Sequence, residues 1–299
     1  MKLHGIFPPL TTPFDASDSV ALDRLRDNVV RYNRTRLAGY VVVGSTGESV
    51  LLSFAEIERV WATVREASAA DKILIAGTGV ESTTETIART NRAAELGYQA
   101  ALVKTPHYYK PQISDALLAE HFLRVADAAK IPVLLYSVPQ FTSVALEAPV
   151  VRRLAEHANI IGIKESSGNV QRVGEIIATA PAQFQTLVGS ASTLYPSIAL
   201  GAVGGILALA CVLPELCVDL YETATAGDAS AARSLQQRLL APTAAIVARS
   251  GIPGVKYAMD QVGYYGGPSR RPFLPLGEAG KKEIDGALAA VVVPAGGGN

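Results

Sequence analysis

Short apolar segments alternate along the chain with longer segments that have the spacing of amphipathic helices. Most of the short segments are rich in Val, Ile or Leu and apolar throughout, which is typical of parallel strands covered on both faces. Eight of these segments are predicted to be strands, at residues 6–10, 39–44, 73–77, 100–103, 133–136, 160–164, 185–188 and 205–209.

Helical patterns fill the gaps between these strands. Leu22, Leu25 and Val29 recur at helical spacing, and Ser53 precedes Glu56 by three residues in a capping-box pattern. About eight strand–helix units in series predict an α/β fold, a closed (β/α)8 TIM barrel. An open doubly wound sheet is the alternative, but it favours a glycine fingerprint after the first strand, where this chain has PPLTT.

The region after the last predicted strand is helical and too long for one barrel helix. We therefore predict a barrel core at residues 1–212. Residues 213–299 are predicted to complete the barrel and form a C-terminal helical subdomain, with a frayed tail from about residue 292. Because barrel enzymes carry their chemistry in the loops that follow the strands, we sought candidate residues at the predicted strand ends.

The composition narrows the range of partners and locations. Of the 299 residues, 49% are hydrophobic, and 27 Lys and Arg balance 27 Asp and Glu, so neither nucleic acid nor an anionic membrane is expected as a partner. Cys211 and Cys217 have apolar neighbours, which predicts reduced core residues, and the first residues lack a secretory signal pattern. We therefore expect a cytoplasmic protein. The most apolar stretch, residues 198–213, is shorter than the about 20 residues of a membrane helix.

Lys164 is the strongest candidate for a chemical role. It closes the apolar sixth strand, and strand alternation predicts that it shares a face with Gly162 and Ile160. If that face is the barrel interior, desolvation lowers the pKa of the amine, and a neutral amine can form a Schiff base with a ketone. The alternative is a lysine that pairs with Glu165 or extends to solvent.

Other candidates for a nucleophile or a metal site are weaker. Lys104 also closes an apolar strand and remains a competitor, whereas Lys256 falls in a helical segment. The four histidines do not pair at ligand spacing and no carboxylate cluster joins them, so no metal is expected. Nucleotide-binding glycine motifs are also absent from the sequence, and we expect no cofactor.

Hydroxyl groups follow two other predicted strands. Ser45 and Thr46 lie between glycines in GSTGES, a pattern that can form an anion-binding nest or simply a tight turn before the next helix. Tyr136 ends the fifth strand, where its hydroxyl either relays a proton or is a buried group with a structural hydrogen bond.

The motifs resemble one known family, in order, across nearly the whole chain. GIFPPLTTPF, GSTGES, TPHYY, YSVP and GIKESSGN occur at successive strand positions. Each motif is weak alone, but the ordered set is similar to the pyruvate-dependent class I aldolases, the family of dihydrodipicolinate synthase and N-acetylneuraminate lyase. Within it, AGTGVESTTET, LLYSVP, LGAVGGILALA and GYYGGPSRRP look most like the 4-hydroxy-2-oxoglutarate aldolase branch.

The resemblance implies a role for each matched residue. Lys164 would form the Schiff base with the keto carbon, and Tyr136 would transfer the proton. Ser45 and Thr46 would bind the pyruvyl carboxylate and assist the relay. The resemblance also implies a catalytic contribution from Tyr108 across a subunit interface, and substrate contacts from Gly189, Ile206, Ser166 and Phe141.

The same resemblance implies an enzyme that makes or breaks a carbon–carbon bond to pyruvate without a cofactor, in a homotetramer built as a dimer of dimers. The reaction it favours is cleavage of 4-hydroxy-2-oxoglutarate to pyruvate and glyoxylate. The alternatives are dihydrodipicolinate synthase, which condenses pyruvate with aspartate semialdehyde, and a 2-keto-3-deoxy sugar acid aldolase. A non-catalytic barrel that binds an oxo acid is disfavoured, because only catalysis requires the lysine, tyrosine and hydroxyl groups together.

Three positions depart from the family pattern. Phe141 stands at the position that resembles the carboxylate-binding arginine of the synthases, and an apolar ring cannot pair with a carboxylate. Thr46 stands where the hydroxyoxoglutarate branch usually has asparagine, so the exact substrate stays open. Ser143 stands where the family commonly has glycine.

Overall fold

A computed structural model describes residues 1–292, and the predicted frayed tail lies outside the described residues apart from its first position. Eight parallel strands form one sheet in the order β1-β8-β7-β6-β5-β4-β3-β2. The strands are β1 Gly5–Phe7, β2 Gly39–Val42, β3 Ile73–Gly77, β4 Ala100–Lys104, β5 Val133–Ser137, β6 Ile160–Glu165, β7 Gln185–Val188 and β8 Gly204–Ile206.

Helices separate the strands and continue after the last one. The α-helices are α1 Leu22–Tyr32, α2 Phe54–Ala67, α3 Thr83–Glu95, α4 Asp115–Ala128, α5 Pro139–Thr142, α6 Ala148–Leu154, α7 Val170–Thr179, α8 Leu194–Ala199, α9 Pro214–Thr225, α10 Ala229–Pro242, α11 Gly251–Gln261 and α12 Glu278–Val292. A π-helical segment spans Thr243–Arg249, and short 3-10 turns occupy Ser49–Leu51, Lys110–Gln112, Ala191–Thr193 and Ala208–Cys211. The capping box at Ser53 and Glu56 is confirmed, and it fixes the start of α2.

The sheet closes where the chain after β1 meets β2. Leu10 N donates to Val41 O at 2.8 Å, and Val41 N donates to Pro8 O at 3.1 Å. These bonds join the two edge strands, so the prediction of a (β/α)8 TIM barrel is confirmed. The predicted first strand was too long, because Pro8 and Pro9 lack the N–H groups that a longer strand needs.

Apolar side chains fill the barrel and separate it from the helical layer. The interior cluster includes Phe7, Val41, Ile75, Leu134 and Leu187, all nearly inaccessible to solvent. A parallel strand that is apolar on both faces packs inward against this cluster and outward against the helices. The continuous apolar runs in the sequence have this cause.

One alternation predicted from the sequence was wrong. Val133 pairs with Ile160, but the next residue of β5, Leu134, pairs with Gly162, so β6 carries one extra residue. Because of this bulge, Ile160 packs outward with the helices while Lys164 remains in register with Tyr136. Lys164 therefore shares its face with Gly162 and not with Ile160.

The helical region after β8 is also observed, and it packs on the barrel. Helices α9, α10, α11 and α12 contribute buried side chains to the same core as β2 and α2. The boundary between barrel and subdomain at residue 212 stays a prediction.

Cys211 and Cys217 are free and buried. Within residues 1–292, none of the helices combines the length and the apolar character needed to cross a bilayer.

We predict that the buried His121 makes the fold sensitive to acid. His121 lies in α4, its Nδ1 is 2.9 Å from Thr83 Oγ1, and burial lowers its pKa from 6.5 to about 4. The unfolded chain therefore binds the proton more readily, and the stability present above pH 6.5 is lost as the pH falls toward 4. The loss should reach roughly 3 kcal/mol.

The measurement is urea unfolding between pH 4 and 7. His121→Asn should flatten the pH dependence over this range. His4→Asn, which changes an exposed histidine, should leave it as in the wild type. An unchanged slope in His121→Asn would contradict the prediction.

Candidate active site

Lys164 is the next-to-last residue of β6, and its amine lies inside the mouth of the barrel. Only 4% of the residue is exposed, and Nζ lies 4.3 Å from the centre of the Tyr136 ring. No carboxylate of the described residues forms a salt bridge with it. Glu165 points to the other face of the strand, where it accepts hydrogen bonds from Ser167 N and Oγ. The alternative of a Lys164–Glu165 pair is therefore excluded by the geometry.

Tyr136 and Ser45 line the same cavity as this amine, and their hydroxyl groups lie close to each other. Tyr136 ends β5 in direct register with Lys164, and its hydroxyl oxygen is 3.3 Å from Ser45 Oγ. Tyr136 is 5% exposed, so the phenol is enclosed by protein. The cavity thus holds an amine against the face of a phenol whose hydroxyl is within reach of an aliphatic hydroxyl, which are groups that can transfer protons.

The GSTGES segment forms a tight turn between β2 and α2. Gly47 N donates to Gly44 O at 3.1 Å, and Glu48 N donates to Ser45 O at 3.0 Å. A Cβ at Gly47 would come within 2.9 Å of Leu10 O, so the close approach of the β1 loop requires glycine there. The turn directs Ser45 and Thr46 into the barrel mouth.

A cavity of about 620 Å³ opens above Lys164 and contains most of the residues expected from the sequence. Among the described residues that line it, Lys164 is the only charged one. Eight of the predicted site residues line the cavity: Ser45, Thr46, Tyr136, Phe141, Lys164, Ser166, Gly189 and Ile206.

Tyr108 is the one predicted site residue that this chain does not bring to the cavity. It is 75% exposed and packs edge-on against Tyr109, with ring centres 5.1 Å apart. A contribution from Tyr108 therefore requires a second subunit, and it stays a prediction.

Lys104 lies in a separate cavity of about 320 Å³ that shares only Ser45 and Tyr136 with the first. Its Nζ is 3.5 Å from Glu81 Oε1 and 3.3 Å from His107 Nδ1. Burial lowers the pKa of the Lys104 amine, and Glu81 opposes that effect. Lys104 is thus paired with Glu81 and lies outside the cavity of Lys164. The two lysines, which the sequence left as competing candidates for the nucleophile, therefore differ in their surroundings.

Two groups of lining residues were missed by the sequence analysis. Gln140, Ser190 and Ser192 lie just after β5 and β7, and a complete inspection of the strand ends would have found them. The other group comes from α10, the π-helical segment and α11, which cover the cavity with Leu240, Thr243, Ala244, Val247, Ala248, Gly251, Ile252 and Val255. No pattern within the sequence places these distant helices over β6.

Two small residues shape the wall of the cavity. A Cβ at Gly189 would overlap Ser166 Oγ, so this close approach requires glycine. Ser166 Oγ is buried and has no hydrogen-bond partner among the described residues, so it is free to bind a ligand.

Ser143 has φ 55, in the left-handed region that favours glycine, which gives a physical reason for the family's usual residue at that position.

The described residues offer no obvious metal centre. Across this part of the chain, His, Cys, Asp and Glu side chains do not gather in groups of three that could hold a metal ion.

A (β/α)8 barrel with a buried lysine at the end of its sixth strand, next to a phenol and a hydroxyl, defines an enzyme of the class I aldolase type. The model of the dihydrodipicolinate synthetase family matches residues 2–291, and this chain belongs to that family.

Relatives of known name resemble the chain over nearly its full length. The 4-hydroxy-tetrahydrodipicolinate synthase of Methanothrix thermoacetophila is 37% identical over 286 residues, covering 95% of this chain and 96% of the relative. The enzyme of the same name from Thermomicrobium roseum is 37% identical over 288 residues, covering 96% and 94%. The crystal structure of Acinetobacter baumannii dihydrodipicolinate synthase, complexed with pyruvate, matches with a TM-score of 0.93 at 30% identity, covering 97% and 99%.

The comparisons support the synthase, which the sequence analysis held as the alternative, better than the 4-hydroxy-2-oxoglutarate aldolase branch, because these relatives carry the name of the synthase. The motifs that suggested the aldolase branch include YSVP, whose Tyr136 lies against the amine of Lys164. Residues that surround the amine are needed for any aldehyde partner, so they do not separate the branches.

Proposed function

We propose that this enzyme joins pyruvate to an aldehyde, or splits such a product, through a Schiff base on Lys164. The observation that carries the proposal is the buried amine of Lys164, which lacks a carboxylate partner among the described residues and faces Tyr136. An amine held in such a site can attack a ketone once it is neutral. The pyruvate complex of the Acinetobacter relative supports pyruvate as the ketone.

The proposed reaction needs no group beyond the side chains and water. The Lys164 amine adds to the keto carbon of pyruvate and expels water, and the protonated imine then accepts electrons from the adjacent carbon. Loss of a proton from that carbon gives an enamine, which attacks the aldehyde to form the new bond. Tyr136 transfers the proton between substrate and Ser45, whose Oγ is 3.3 Å from the phenol oxygen. Water finally releases the product and restores the amine.

The other predicted residues have roles that follow from their places in the cavity. We propose that Ser45 and Thr46 hold the pyruvyl carboxylate, with Gly189 and Ile206 beside the methyl end. Ser166 offers a free hydroxyl to the bound substrate. We also propose that Tyr108 completes the relay from a neighbouring subunit in a homotetramer, because it is exposed in the single chain.

The aldehyde partner has two candidates, each supported by a different observation. The names of the relatives favour aspartate semialdehyde and the synthase reaction. The lining of the cavity favours an uncharged, hydroxylated aldehyde, as in a 2-keto-3-deoxy sugar acid aldolase. Lys164 is the only charged residue among those described there, while Gln140, Ser190 and Ser192 offer uncharged polar groups. A carboxylate on the aldehyde would find no second cation among the described residues that line the cavity.

Borohydride reduction in the presence of pyruvate should fix a stable adduct on Lys164. Reduction converts the imine to an amine that cannot hydrolyse, and peptide mass mapping locates it. Lys164→Arg should abolish the adduct, because a guanidinium does not form the imine. Lys104→Arg is the matched control and should retain it, since Lys104 lies in the other cavity. An adduct on Lys104, or none in the wild type, would contradict the proposed function.

Tyr136→Phe should slow turnover by roughly 10²–10⁴-fold, because it removes one proton-transfer group from the site. The rate of pyruvate release or consumption measures this effect. Tyr98→Phe is the control: it removes another buried phenol, which donates to Trp61 O outside the cavity. Equal rates in Tyr136→Phe and Tyr98→Phe would remove Tyr136 from the mechanism.

Phe141→Arg tests which aldehyde the cavity accepts. The wild type should react faster with glyceraldehyde than with glyoxylate or aspartate semialdehyde. The guanidinium of the variant should lower KM for the two carboxylated aldehydes roughly tenfold, by pairing with their carboxylate. Phe141→Met, which adds no charge, is the control. A wild type that prefers aspartate semialdehyde would instead support the synthase reaction.

A further inference from the structure

A second buried lysine, Lys256, lies on the far side of the turn that carries Ser45 and Thr46. It is 1% exposed and belongs to α11. Its Nζ donates to Thr12 O and to Pro268 O, both at 2.8 Å, and forms an ion pair of 2.5 Å with Glu48 Oε1. The ammonium therefore has two carbonyl acceptors and one carboxylate as its ion-pair partner.

Glu48 connects this ammonium to the turn itself. It follows Thr46 by two residues and has φ 57, a backbone conformation that non-glycine residues rarely adopt. Its second carboxylate oxygen, Oε2, accepts from Arg270 N at 2.8 Å. The side chain of Glu48 is thus held at both oxygens, which stabilises the strained backbone beside the site.

A second connection runs through the loop after β1. The Thr12 carbonyl accepts from Lys256, and the Thr12 hydroxyl donates to Gly47 O at 2.7 Å. Lys256 is therefore connected to the turn by two routes, one through the Glu48 carboxylate and one through Thr12.

The same helix also forms part of the cover of the cavity. Gly251, Ile252 and Val255 of α11 line the cavity of Lys164, and Val255 is the immediate neighbour of Lys256. The ion pair consequently connects α11, which forms part of the cover, with the turn that carries Ser45 and Thr46.

We propose that Lys256 and Glu48 are positioning residues that set the place of Ser45 and Thr46 for binding the substrate carboxylate. The proposal rests on the proposed function of the site. A buried ion pair adds little to stability compared with apolar residues of similar size, because desolvation offsets the attraction. Neither Lys256 nor Glu48 lines the cavity, so their effect must pass through the turn and α11.

Lys256→Met removes the ammonium and keeps an unbranched side chain in its place. The matched control is Lys72→Met. Lys72 is also buried, donates to Thr35 O at 3.0 Å and Leu37 O at 2.9 Å, and precedes β3 at the opposite end of the barrel. Both variants should unfold at a lower temperature than the wild type. Only Lys256→Met should raise the pyruvate concentration for half-maximal borohydride trapping, by roughly tenfold or more, and the saturated trapping rate should fall much less.

Glu48→Gln is the second variant, and it decides the question if Lys256→Met does not fold. It keeps the shape of the side chain and removes the charge that Lys256 requires, so it should raise the same pyruvate concentration. A value equal to that of the Lys72→Met control overturns the proposal. Loss of folding in both Lys256→Met and Glu48→Gln also overturns it, because the pair would then serve the fold. Absence of trapping in the wild type is a separate result that contradicts only the proposed function.

Discussion

The structure of the site depends on one constraint: an amine must be kept inside an apolar barrel without a carboxylate beside it. Lys164 is in register with the interior residue Leu187 of β7, and the strand turns Glu165 to the opposite face. Burial also raises the pKa of Glu165, and its carboxylate accepts hydrogen bonds from Ser167. A lysine next to a glutamate in sequence is thus separated from it in space by the alternation of the strand.

Three of the buried or half-buried lysines, Lys256, Lys104 and Lys164, differ in their partners, and the partners decide what each can do. Lys256 has two carbonyl acceptors and the Glu48 carboxylate, and Lys104 has Glu81 and His107. Lys164 has only the face of the Tyr136 ring among the described contacts. An amine that is already saturated with acceptors is a structural element, whereas one left beside an aromatic ring in a cavity retains its lone pair for chemistry once neutral.

Much of the fold was predictable because each strand and helix follows from a local pattern of apolar and polar residues. The errors in strand length and register also have local causes. Apolar runs located all eight strands, but a run does not show where a strand gives way to a buried turn. The predicted eighth strand continued to Leu209, although the strand ends at Ile206 and a 3-10 turn follows. The extra residue in β6, which turned Ile160 outward, leaves no trace in the pattern of apolar residues. Inspection of the strand ends supplied Ser45, Thr46, Tyr136 and Lys164, and the family resemblance added Phe141, Ser166, Gly189 and Ile206. The helical cover of the cavity was not predicted, because the placement of α11 over the barrel mouth depends on tertiary packing.

The pyruvyl half and the aldehyde half of the proposed substrate depend on different residues. Similarity to known relatives therefore supports the identity of the pyruvyl half better than that of the aldehyde. In the proposed reaction the pyruvyl half meets Lys164, Tyr136 and the GSTGES turn, which line the cavity and supply groups that this chemistry needs for any aldehyde. The aldehyde half of the proposed substrate meets a few side chains such as Phe141, and one exchange there changes the charge of the wall. An identity of 37% over the chain is an average over many positions and gives little weight to that one. The charge of the residues that line the cavity is therefore a more direct indication of which aldehyde the site accepts than the names of the relatives are.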